Sequence, residues 1–155
     1  MPPPPTIRPA RAEEYDEIAR LWMDSWVSTG LMDASNFLKA NLRARIPRGI
    51  EAGWSLFVAD DSGAPAAMLA LHLPKRRLDQ LFVAPEYQGQ SLGRALLAFT
   101  RTHLPDEIRL RCIRENEKAW RWYEREGFVY ETEKTDPMNG FVLKYYRWKK
   151  QGNSR

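Results

Sequence analysis

The chain has 155 residues, 43% of them hydrophobic and 28% charged, with a formal net charge of +4. That supplies enough apolar material for one domain with a buried core, and no apolar run approaches the ~20 residues of a membrane helix. A single cysteine, Cys112, excludes internal disulfides and thiolate metal clusters, and the mild positive charge suits phosphate-bearing ligands without marking a nucleic-acid binder.

In chain order, Met1 to Pro5 reads as a disordered or polyproline-like lead-in, with neither the basic start nor the apolar core of a secretory signal. A single domain is expected over residues 6–150 and a short tail over 151–155, in a cytoplasmic protein. Ile7 to Pro9 forms an opening strand. Glu13 to Ser28 carries Ile18, Leu21, Trp22 and Trp26 at helical spacing and ends before Gly30. Ser35 is positioned to cap a second helix bearing Phe37, Leu38, Leu42 and Ile46, which Pro47 is expected to stop.

Trp54 to Ala59 reads as a strand and Asp60 to Gly63 as its hairpin turn, with strands following at Ala66 to Leu73 and Arg77 to Val83. A helix begins near Leu92, a strand spans Ile108 to Ile113, and a helix runs from Glu115 or Asn116 to Glu126 with Gly127 at its stop. Two strands, Phe128 to Lys134 and Phe141 to Trp148, flank the turn Asp136 to Gly140. The order β-α-α-β-β-β-α-β-α-β-β predicts an α/β fold with a mixed central sheet flanked by helices.

The run from Leu81 to Leu97 carries the strongest functional signal. An apolar strand stops at Pro85, a polar loop holds Gly89, and a helix opens with Leu92, Ala95, Leu96 and Phe99 on one face. The first N–H groups of a helix lack internal partners and lie at its positive end, so strand, loop and helix together make an anion site. Gly89 and Gly93 lack a Cβ, which would let a phosphate approach the backbone. The wording V-x-P-x-x-Q-G-x-S-x-G-R-x-L-L resembles the cofactor loop of the GNAT superfamily, the acetyl-CoA-dependent N-acetyltransferases, with its pattern Gln/Arg-x-x-Gly-x-Gly/Ala. Gln88 and Gly93 match, and Ser91 stands where the middle glycine usually sits.

A second block, Asn116 to Phe128, resembles another signature of that superfamily, N-x-x-A-x-x-x-Y-x-x-x-G-F. The resemblance implies a bound acetyl-CoA with its diphosphate on the N–H groups of Gly89, Gln90, Ser91, Leu92, Gly93 and Arg94, beside Gln88. Its pantetheine arm would run along Leu81, Phe82 and Val83 and meet Asn116. Asn116 also suits a plain helix N-cap. Tyr123, two turns further along the same helix face, is either a core aromatic or a phenol near the cofactor sulfur.

The family transfers acetyl to an amine by direct attack, without a metal or an acyl-enzyme. The chemistry needs a neutral amine, a polarised carbonyl and a proton for the departing thiolate. Tyr123 is the candidate general acid, and an N–H at the end of Leu81 to Val83 the candidate carbonyl partner. Asp79 is the candidate base, because strict alternation places it on one strand face with Leu81 and Val83; the alternative is a carboxylate paired with Arg76, Arg77 or Arg111. Cys112 reads as a core thiol and His72 as a hydrogen-bonded structural residue.

Acceptor choice is expected between Leu21 and Trp54 and in the closing strands, where Trp22, Met23, Trp26, Met32 and Phe37 line a cleft or fill the core. No residue pattern names the amine. The expected partners are acetyl-CoA and an amine acceptor, with no membrane and no nucleic acid; the basic end of the chain reads as a solvated tail. A homodimer stays open, as does a CoA-binding sensor module of the same fold.

Overall fold

The computed structural model describes residues 5–89 and 91–151. Met1 to Pro4 of the expected lead-in, the loop residue Gln90, the side chain of Phe37 and the tail beyond Gln151 lie outside the described residues. The elements are β1 (Thr6–Pro9), α1 (Tyr15–Ser28), α2 (Asn36–Glu51), β2 (Trp54–Asp61), β3 (Ala64–His72) and β4 (Arg77–Val83), followed by α3 (Leu92–His103), β5 (Glu107–Ile113), α4 (Glu117–Arg125), β6 (Val129–Thr135) and β7 (Val142–Lys149). The order is the one the sequence pattern predicts. The strands form a seven-stranded sheet in the order β1-β2-β3-β4-β5-β7-β6. Among the described residues no helix is long and apolar enough to cross a membrane.

Strand β3 runs through the middle of the sheet and is buried from Ala66 through His72. Its alternate residues feed two cores, as the pleat requires. Leu69 and Leu71 join Leu96 and Leu97 of α3 and Tyr123 of α4 on one face. Met68 and Ala70 join Ile18, Trp22 and Ile46 of α1 and α2 on the other. Each fully buried side chain of this size stabilises the fold by about 1.5–3 kcal/mol, so both helical layers are fixed to the strand that carries the site beside it.

Helix α2 corrects one expectation. Ser35 does cap it, its hydroxyl oxygen accepting from Leu38 N–H at 2.9 Å. Pro47, however, lies inside the helix, which continues to Glu51. A mid-helix proline costs roughly 3 kcal/mol in isolation. Ile46 is fully buried before it and Ile50 packs against the same core after it, and tertiary burial on both sides holds the helical path.

Two irregularities shape the middle of the sheet. All neighbouring strands are antiparallel except β4 and β5, which are parallel and register at Arg77↔Arg109 alone. Past that pair the two strands diverge and leave a gap between Gln80–Val83 and Leu110–Ile113. In addition, the β3–β4 register steps from Ala70↔Gln80 to Leu71↔Leu78. Asp79 is therefore the extra residue of a β-bulge, and alternation is reset there.

Candidate active site

The loop after β4 is held from both ends. Tyr87 donates its hydroxyl to the Asp61 carboxylate at 2.5 Å, which also raises the phenol above its ordinary pKa. The Gln88 side-chain amide donates to the Val83 carbonyl at 3.0 Å. Ala84 N–H donates back to Ala66 of β3 at 2.9 Å. Main-chain groups alternate sides along an antiparallel strand, so those of Leu81 and Val83 point away from β3, into the gap beside β5.

Gly89 has φ +81°, and Ser91 adopts the left-handed region at φ +62°, ψ +12°. That conformation explains why glycine suits the Ser91 position: a side chain there costs about 1–2 kcal/mol. Ser91 occupies the N-cap of α3 without a side-chain capping bond. Among the described residues the N–H groups of Leu92, Gly93 and Arg94, the first turn of a 12-residue helix, have no partner within the helix.

The Leu92 side chain is core, only 6% exposed, as its place on the apolar helix face predicts, so this residue has only its N–H to offer the site. A Cβ on Gly93 would come into ordinary contact with the Trp122 ring of α4 at 3.4 Å.

Leu81, Phe82, Val83, Gln88, Gly89, Ser91, Gly93, Arg94 and Asn116 line one cleft of about 570 Å³. Ser28 and Thr29 at the end of α1, and Trp122 of α4, also line it. Ser28 and Thr29 carry no sequence signal because their convergence depends on the packing of α1 against β4. Asn116 stands at the N-cap of α4 but makes no side-chain capping bond. Its amide thus lines the cleft without being spent on the helix.

A second cleft of about 420 Å³ lies beside the first, and both include Leu81, Phe82, Asn116 and Ala119 in their walls. It is walled by α2, the divergent parts of β4 and β5, and the β6–β7 turn. Tyr123 lines this second cleft rather than the first. Its ring belongs to the α3/α4 core and is 6% exposed, and burial pushes the phenol well above its ordinary pKa, keeping it protonated. Trp26 and Met32 line the same cleft, whereas Trp22 is fully buried and Met23 packs against the α1/α2 core.

Asp79 also lines the second cleft, but it does not share a face with Leu81 and Val83. The bulge turns it to the α1/α2 side, where Trp54 Nε1–H donates to Oδ2 at 2.8 Å. Arg77 binds both carboxylate oxygens, with Nη2 at 3.0 Å from Oδ2. Leu81 and Val83 pack against the opposite, α3/α4 core.

Arg45 and Arg48 of α2 and Arg111 of β5 are further residues of this cleft that sequence patterning did not single out for the site. Cys112 faces the α3/α4 core and its thiol is pushed up to about 12 by burial, which removes it as a nucleophile. His72 is 8% exposed, and its Nε2 bonds the Ala52 carbonyl oxygen at 3.0 Å, a structural contact. Among the described residues no cluster of three or more His, Cys, Asp or Glu is arranged to hold a metal.

The arrangement compares directly with known proteins. A family model for the acetyltransferase (GNAT) domain matches residues 27–150. The chain is 26% identical over 136 residues to the probable N-acetyltransferase Rv2775 of Mycobacterium tuberculosis, covering 79% of this chain and 78% of that protein. In fold it is similar to apo YjaB from Escherichia coli, with TM-score 0.76 and 23% identity over 92% of this chain and 96% of that one. It is likewise similar to the PaiA N-acetyltransferase of Thermoplasma acidophilum solved in complex with coenzyme A, with TM-score 0.74 and 18% identity over 94% and 98% of the two chains.

Proposed function

The chain belongs to the GNAT family of acetyltransferases, and from that premise we propose that it moves an acetyl group from acetyl-CoA to a primary amine by direct attack. One observation carries this reading: two clefts meet at Leu81, Phe82, Asn116 and Ala119, where β4 and β5 separate. The first is suited to the cofactor and the second to the acceptor. The complex of PaiA with coenzyme A supports the choice of cofactor.

Acetyl-CoA supplies an activated acetyl thioester. On this reading the uncapped N–H groups of Leu92, Gly93 and Arg94, with the loop from Gly89, bind its diphosphate through the positive end of α3. The main-chain groups of Leu81 and the Val83 N–H, aimed into the gap, pair with the pantetheine amides, while Gln88 holds the Val83 carbonyl; Asn116 adds its side-chain amide. An N–H of the same strand segment polarises the thioester carbonyl.

Freeing a lysine-like amine at pH 7 costs about 4–5 kcal/mol. Asp79 is the proposed proton acceptor, its carboxylate oriented by Arg77 and Trp54 at the wall of the acceptor cleft. Tyr123, kept neutral by burial, is the proposed donor to the departing thiolate. The bond from the amine nitrogen to the acetyl carbon forms as the carbon–sulfur bond breaks, and no residue is acylated.

The test is a thiol-release assay with acetyl-CoA against amines, peptides and aminoglycosides, with the acetylated product identified by mass. Stoichiometric CoA and N-acetyl product from any acceptor support the reading. Tight CoA binding without turnover on every acceptor supports a CoA-binding sensor in its place.

A further inference from the structure

We propose that the acceptor is a small primary amine that also carries an anionic group, a carboxylate or a phosphate, bound by Arg45, Arg48 and Arg111. The inference rests on the acetyl-transfer reading above and specifies the occupant of its second cleft.

Arg45 and Arg48 are three residues apart on α2 and so project from neighbouring positions of one helix face. Arg111 reaches the same cleft from β5, while Ile108 of that strand packs into the α3/α4 core. Among the described residues none of the three arginines pairs with a carboxylate, whereas Arg8, Arg43, Arg94, Arg121 and Arg147 all do. Arg45 lies over the Trp22 ring at 4.8 Å, and Arg48 Nε–H donates to the Ala44 carbonyl at 3.3 Å.

Among the described residues neither carboxylate lining the cleft forms an ion pair with these arginines. Asp79 is bound by Arg77 and Trp54, and Asp136 accepts from the Met138 N–H at 2.9 Å. Desolvation, followed by the charges of Arg48 and Arg111 and only partly countered by that of Asp79, pulls Arg45 below its ordinary pKa. Three like charges held around one concavity repel each other, and a ligand anion relieves that repulsion.

The cofactor's phosphates are not the anion required. None of the three arginines lines the first cleft, where the α3 N-terminus lies. A polyamine would add positive charge to the set and is disfavoured. The guanidiniums can form paired, charge-assisted hydrogen bonds with carboxylate or phosphate oxygens, holding the anionic end while the amine meets the thioester.

The experiment uses matched acceptors: amino acids against their C-terminal amides for the carboxylate, and O-phosphoethanolamine against ethanolamine for the phosphate. Spermidine serves as the cationic comparator. Thiol release is measured on the full chain, and binding of each member to the CoA-saturated protein is measured by calorimetry. The anionic member of at least one pair should exceed its neutral partner by about 10- to 100-fold in kcat/KM or in affinity. Arg45→Gln and Arg111→Gln, each checked for an unchanged melting temperature, should erase that preference by raising the KM or Kd of the anionic member.

Equal values within both pairs, or a preference for spermidine, would overturn the inference. An anionic preference in binding without any thiol release would support the inference and count against acetyl transfer. Thiol release without discrimination would do the reverse.

Discussion

Asp79 and Leu81, two residues apart in β4, face opposite sides of the sheet: Asp79 meets Trp54 beside the α1/α2 layer, and Leu81 packs with the α3/α4 core. The bulge at Asp79 causes the switch. It delivers a carboxylate to the second cleft, while Leu81 and Phe82 line both clefts and Val83 the first.

Asp79→Asn preserves size and polarity and removes the proton-accepting charge. If Asp79 is the base, the variant is slow at pH 7 and recovers towards pH 10, where more of the amine is already neutral. It also leaves Arg77 without its carboxylate partner and should cost about 1–2 kcal/mol of stability. A pH–rate profile overlaying the wild type, with the stability loss present, assigns Asp79 to orienting the bulge alone.

Much of this architecture was legible because it is local. Ser35 capping α2 and Gly127 at φ +98° after α4 follow from nearest-neighbour geometry. The bulge at Asp79 was not legible, since alternation over Asp79, Leu81 and Val83 looks unbroken until β3 sets the register. Pro47 misled for the same reason: its local cost is real, and distant packing of Ile46 and Ile50 outweighs it. In the candidate site, the motif wording picked out the loop residues and Asn116 that line the first cleft. Arg45, Arg48 and Arg111 converge only once α2 is laid over β5.

Ser91→Gly removes a side chain from a left-handed position. The strain of about 1–2 kcal/mol is partly offset by the greater chain entropy of glycine, leaving a net gain of about 0.5–1 kcal/mol. The melting temperature should rise by a few degrees, with CoA affinity equal to or above the wild type. A lower melting temperature would show that the loop relaxes elsewhere.

Gly93→Val acts through Trp122. A Cβ already lies in contact with the indole at 3.4 Å, and the two methyls of valine add bulk between the ring and the first cleft, which both residues line. CoA affinity should fall at least tenfold in protein that still melts cooperatively. Unchanged affinity by calorimetry would remove the first cleft as the cofactor site.

Cys112, with its pKa pushed up to about 12, stays a neutral thiol through pH 8. The folded protein should resist iodoacetamide at pH 8, while unfolded chain, with a thiol pKa near 8.5, reacts readily. Because the fold favours the neutral thiol, this group's contribution to stability falls as pH rises above about 8.5. Cys112→Ser should keep the wild-type kcat; a large loss would reopen covalent catalysis.

The most direct test of acetyl transfer across the β4–β5 gap is the turnover number of Tyr123→Phe on the best amine identified, under conditions where chemistry limits the rate. Tyr123 is neutral, buried and placed in the wall of the second cleft. Removing its hydroxyl should leave the fold and CoA affinity intact and lower kcat by roughly 10- to 1000-fold. A wild-type kcat in that variant would contradict the account, reducing Tyr123 to a packing residue and leaving the thiolate to take its proton from elsewhere.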